Sequence, residues 1–128
     1  MHYRLTLRSC LCFIALVLLT VSCREDNVVS AEPLDGKWNI HTALRNQKVT
    51  KTLKGGYFAF EGDTSMITNI WGSEQSYTFE RKGSKITTTE GVPQLDLTIK
   101  SASADSLTLL GKIQVFDMEF QMVRDTAQ

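Results

Sequence analysis

The chain is poor in the side chains on which most catalysis draws. It holds two histidines and three cysteines in 128 residues, and His2, Cys10 and Cys12 fall within a 22-residue start with the makeup of an export signal. Beyond that segment only His41 and Cys23 remain. A single thiol excludes an internal disulfide. One imidazole supplies neither a Cys-His pair nor a Ser-His-Asp triad with credible partners, and without carboxylates at ligand spacing it does not build the usual zinc site. A phosphate-cradling glycine loop is also missing, since Gly55-Gly56 reads as a turn. Asp117 and Glu119 share one face of a strand and could in principle work as acid and base, but they belong to its polar, solvated side. Basic excess is lacking too. The 14 basic and 14 acidic residues become 12 and 14 once Arg4 and Arg8 leave with the signal, a net −2, whereas a nucleic-acid binder carries surplus positive charge. The expectation is therefore a protein that is not an enzyme, with no cofactor, no metal and no nucleic-acid partner.

Long hydrophobic runs are absent as well. The longest, Cys10 to Leu19, has ten residues, against the roughly 20 needed to span a bilayer. Preceded by Arg4 and Arg8 and followed by Thr20-Val21-Ser22-Cys23, it has the charged, apolar and small-residue regions of a secretory signal. Its end resembles a bacterial lipobox, in which small residues before an obligatory cysteine permit cleavage after the cysteine has received a diacylglycerol. Val21 and Ser22 occupy those positions, while Thr20 stands where leucine is usual. The resemblance implies lipid attachment at Cys23 and an envelope protein held at the outer membrane by its anchor. Arg24-Glu25-Asp26 resembles the signal that sends some lipoproteins of the Bacteroidota to the outer membrane's outer face; a solvated linker is the alternative. The chain thus divides into a signal (1–22), a lipidated cysteine and tether (23–33) and one small domain (34–128).

That domain is ordinary in composition, the whole chain having 42% hydrophobic and 22% charged residues. Turn formers punctuate it at short intervals: Gly55-Gly56, Gly62-Asp63, Gly72-Ser73, Gly83-Ser84, Gly91 to Pro93, Ser101 to Asp105 and Gly111-Lys112. Between them lie eight candidate strands: 38–44, 57–61, 66–71, 77–81, 85–89, 95–100, 107–110 and 113–124. Alternation is clear at Phe58 and Phe60, at Tyr77 and Phe79, and at Leu95, Leu97 and Ile99. It is cleanest where Phe116, Met118, Phe120 and Met122 interleave with Asp117, Glu119 and Gln121. Short strands joined in order make a meander, and closing it removes the exposed edges, so the sequence predicts an all-β, antiparallel, up-and-down barrel of about eight strands. The segment 45–54 fits two patterns. Val49 and Leu53 four apart, with Lys48, Lys51 and Lys54 three apart, suit a short helix; alternating Val49, Lys51 and Leu53 suit a strand. It is a long connection that could serve as a lid, and its lysines could meet an anionic ligand or lipid headgroup or simply stay solvated.

Gly36-Lys37-Trp38 at the start of the first strand resembles the glycine-any-tryptophan that opens lipocalins, and Arg124 stands where that family has its closing arginine. In a closed eight-strand meander the first and last strands are antiparallel neighbours, which brings Trp38 and Arg124 together. Phase agrees: Arg124 runs with Phe116, Met118, Phe120 and Met122, and Trp38 with Ile40 and Leu44. The role implied for Gly36, Trp38 and Arg124 is structural, a guanidinium over an inward indole closing one barrel end. With the lipobox, the chain is similar to the small lipocalin-like lipoproteins of the Bacteroidota. It is shorter than a ligand-carrying lipocalin and lacks that family's internal threonine-aspartate-tyrosine motif and disulfide cysteines.

Two functions fit such a barrel. A six-residue strand rising about 3.3 Å per residue and tilted near 40° gives a wall roughly 15 Å high, room for at most a small apolar molecule. One reading is a small-ligand binder, with Tyr57 and Trp71 at the rim and Phe116, Met118 and Phe120 facing the ligand. The other is a protein-interaction module, an inhibitor or accessory subunit with a filled barrel, in which the same aromatics and the Arg81, Lys82 and Lys85 turn form a contact patch, with Trp71 either exposed there or a lid over the barrel end. A continuous internal cavity favours the first and a filled lumen the second.

Overall fold

Large apolar residues at every second position, with polar ones between, give each segment one face to bury and one to wet. A computed structural model describes residues 33–126, and among them there is no helix. Nine strands succeed one another: β1 (Gly36–Arg45), β2 (Lys48–Thr50), β3 (Tyr57–Glu61), β4 (Ser65–Thr68), β5 (Gln75–Lys82), β6 (Lys85–Glu90), β7 (Asp96–Ala102), β8 (Ser106–Ile113) and β9 (Phe116–Arg124). Apart from β2, each strand pairs antiparallel with the next, and β1 also pairs with β9. The result is an eight-stranded, up-and-down, closed barrel with β2 as an extra strand on β1. The export segment, Cys23 and the tether lie outside the described residues.

The inward positions form one continuous core. Phe58, Phe60, Tyr77, Phe79, Ile86, Leu97, Ile99, Leu107, Leu109, Met118, Phe120 and Met122 are each at most 6% exposed. Burying a side chain of this kind stabilises by roughly 1.5–3 kcal/mol, so this set supplies most of the drive to fold. The rings meet at favourable angles, with Phe58 edge-on to Phe120 at 5.3 Å and Phe60 perpendicular to Phe79 at 5.8 Å between centroids. Two buried threonines are satisfied locally. The Thr68 hydroxyl donates to the Tyr57 carbonyl at 2.8 Å, and the Thr88 hydroxyl accepts from the Leu95 amide at 2.9 Å.

Simple alternation fails in β1. The β1–β9 register slips at His41, between Ile40↔Met122 and Thr42↔Gln121. One extra residue reverses the phase beyond it. Ala43 therefore takes the buried position and Leu44, which strict alternation puts inside with Trp38, turns outward beside Glu119.

The segment 45–54 is neither a helix nor a plain loop. β1 continues to Arg45, and Asn46 and Gln47 adopt φ of 49° and 68°. Two successive left-handed residues make the tight turn that matches strand twist, so the chain returns as β2 against Ala43–Arg45. Two strand limits also differ from the sequence pattern. The fourth strand stops at Thr68, because Asn69 binds sideways: its Oδ1 accepts from the Tyr57 amide at 2.8 Å and its Nδ2 donates to the Gly55 carbonyl at 3.2 Å. The run 113–124 is interrupted at Gln114-Val115, where φ of 58° at Gln114 turns the chain so that Ile113 pairs with Phe116.

Candidate functional site

One barrel end is sealed by the residues at the limits of the sheet. Trp38 pairs directly with Arg124, is fully buried, and donates its indole N–H to the Leu34 carbonyl at 2.9 Å. The Arg124 guanidinium lies 4.1 Å from the centre of the indole. Its Nε donates to the Ala104 carbonyl at 2.7 Å and its Nη1 to the Asp35 carbonyl. One cation thus covers the ring and ties the β7–β8 turn to the segment before β1. Gly36 makes room for it. With φ of 112°, a Cβ there would stand 2.7 Å from Arg124 Nη1.

The lumen holds side chains. Met118 and Phe120 lie in the packed core at 6% and 0% exposure, not on the wall of a ligand chamber. The far end, where the 46–56 connection and the 69–74, 91–95 and 114–115 turns gather, is also occupied. Trp71 is half-buried and donates its indole N–H to the Tyr77 hydroxyl at 2.8 Å, while that hydroxyl donates to the Pro93 carbonyl at 2.7 Å. Trp71 therefore acts as a lid tied to the wall. Phe116, half-buried at the same end, has the Arg45 guanidinium 5.0 Å above its ring. Tyr57 sits at the rim with Lys37 4.4 Å above its ring, and its hydroxyl donates to the Glu74 carboxylate, which raises the pKa of the phenol.

An opening exists in the wall itself. Along one edge, β1 pairs with β3 through Gly36–Asn39 and with β2 through Ala43–Arg45, leaving that edge without a strand partner between Ile40 and Thr42. The chain from Thr50 to Gly56 crosses this seam, held by Ile40 N–H to the Gly56 carbonyl at 2.8 Å and Gly56 N–H to the Leu53 carbonyl at 2.9 Å. Gly56 allows the approach, since a Cβ there would meet Ile40 Cδ1 at 2.7 Å. A half-open hollow of about 340 Å³ remains. Ile40, Ala43, Val49 and Leu53 are its apolar lining, with His41, Thr42, Thr50, Lys51 and Lys54 around them. The hollow lies within the ~300–1,000 Å³ usual for small-molecule sites.

A second depression, of about 480 Å³, lies on the outer face of β7, β8, β9 and β1. Leu44 and Leu110 are its apolar side chains, and Asp96, Lys100, Lys112, Asp117 and Glu119 surround them. Glu119 accepts from Lys100 Nζ at 2.8 Å and from Gln121 Nε2 at 2.7 Å, and these bonds, Lys100 foremost, hold its carboxyl below the ordinary carboxylate range. Among the described residues, no three His, Cys, Asp or Glu side chains come together as metal ligands would.

The sequence signal for the seam was the row Lys48, Lys51 and Lys54 in a stretch, Arg45 to Gly56, without one acidic residue. Its position could not be read, because it depends on the bulge at His41 and on β1 changing partner. No protein-family model, no curated protein and no solved structure matches this chain.

Proposed function

We propose that this chain is a lipid-anchored envelope protein, held at the outer membrane through Cys23, whose lipocalin-like barrel binds a small, largely apolar molecule without catalysing its conversion. The ligand lies in the β1 seam and not in the lumen. One observation carries this reading: the seam is a half-open hollow with apolar lining from Ile40, Val49 and Leu53, whereas the lumen is filled by its own side chains. An apolar wall with a few polar groups at its mouth is the usual makeup of a small-molecule site. Native mass spectrometry of the protein recovered from its own host tests the reading. A small-molecule adduct is expected on the wild type and its loss on Thr50→Trp, which fills the mouth of the hollow. Adduct-free wild-type protein would overturn it.

The second reading, a protein-interaction module, is favoured by the outer depression around Leu110. Its apolar centre ringed by charges of both signs has the pattern of a protein contact surface. An inhibitor or accessory subunit using this face would need no ligand. Photo-crosslinking from position 110 in the native host, yielding one discrete protein adduct, would support it.

A further inference from the structure

From the electrostatics of the seam we infer that its ligand is an anionic amphiphile, an aliphatic chain carrying one carboxylate or phosphate head. The inference rests on the ligand-binding reading above and adds a choice of charge. Of the side chains lining the hollow, Lys51 and Lys54 are cationic, His41 is titratable and none is a carboxylate. Arg45 and Lys48 line an adjoining hollow with Asn46, Val49 and Thr50, again without an acid. Three cations elsewhere on the molecule are paired with carboxylates. Lys37 meets Asp125, Arg81 meets Asp63 and Lys100 meets Glu119. Lys48, Lys51 and Lys54 have no ion-pair partner among the described residues.

The apolar part is equally specific. Ile40 and Leu53 pack against the core, and Val49, 69% exposed, lines the hollow beside them. An aliphatic chain laid against these three residues buries its methylenes at roughly 0.8 kcal/mol each. Its head then falls at the mouth, beside Lys51 and Lys54 and within reach of the Thr50 hydroxyl. A neutral chain would gain nothing from the two exposed lysines, and a cationic head would be repelled.

The test uses the mature chain from Cys23 carrying Cys23→Ser, which includes the entire barrel and needs no detergent. Calorimetric titration compares octanoate, octyl phosphate, octanol and octylammonium. Octanoate and octyl phosphate should bind, and the better of the two identifies the head. Lys51→Gln with Lys54→Gln should weaken this binding about tenfold, as expected for two partly exposed charge pairs. Lys82→Gln with Lys85→Gln, at the other barrel end, should leave it unchanged. Circular dichroism confirms that each variant folds. If octanol binds as tightly as octanoate, or the Lys51/Lys54 variant binds octanoate undiminished, the charge inference is overturned while the seam remains a ligand site. If none of the four binds, the ligand-binding reading itself fails. Co-sedimentation with phosphatidylglycerol vesicles without octanoate binding would assign these lysines to a membrane surface and also overturn the proposal.

Discussion

Trp38 and Arg124 are register partners at the closing seam of the barrel, and the guanidinium of one caps the buried indole of the other at 4.1 Å. Eighty-six positions separate them in the chain, so their contact exists only when β1 and β9 have met. It is therefore a direct reporter of barrel closure. Trp38→Ala should cost roughly 3–5 kcal/mol in urea melts, the usual loss for a large buried aromatic. Arg124→Ala should cost less, since the indole stays buried. The two losses should be less than additive, with a coupling of about 0.5–2 kcal/mol. Strict additivity would show that the contact contributes nothing.

Gly36→Ala should be destabilising by about 1–3 kcal/mol, through a positive φ and through displacement of the guanidinium. In an Arg124→Ala background part of that loss should vanish, because only the backbone strain remains. An equal loss in both backgrounds would mean that Arg124 does not need the space at Gly36.

Glu119 gives a pH signature. Its folded-state pKa is lowered, Lys100 being the main cause, so its contribution to stability is fully present above the unfolded-state carboxylate pKa and is lost as pH falls through the folded value. Lys100→Gln should raise the Glu119 midpoint toward the ordinary range in a carboxyl NMR titration and reduce the loss of stability in acid. An unmoved midpoint would contradict the assigned cause.

Cys23→Ala should release the protein from membranes or leave it unprocessed with its signal attached. Fractionation checks this. Processed protein that still sediments with membranes would remove the lipid anchor from the account.

Much of the barrel was legible because period-two alternation survives in β3 and in β5 through β9, where one face is buried and the other wet. The proximity of Trp38 and Arg124 comes from meander closure and phase together. The seam was not legible, for definite reasons. The bulge at His41 inverts the phase of Ala43 and Leu44 without any residue that announces it. The turn at Asn46-Gln47 needs two left-handed residues, and Gln47 is not a residue that signals such a conformation. Tyr57 and Trp71 were legible as rim positions, but their partners, Glu74 and Tyr77, are supplied only by tertiary structure.

Amide chemical-shift mapping of the Cys23→Ser mature chain titrated with octanoate distinguishes most directly a ligand beside β1 from one in the lumen. Perturbations should be confined to Ile40–Ala43 and Thr50–Gly56, with Phe58, Phe79 and Phe120 in the lumen unmoved. Perturbations centred on those three phenylalanines would place the ligand inside the barrel and rule out the β1 seam as its site.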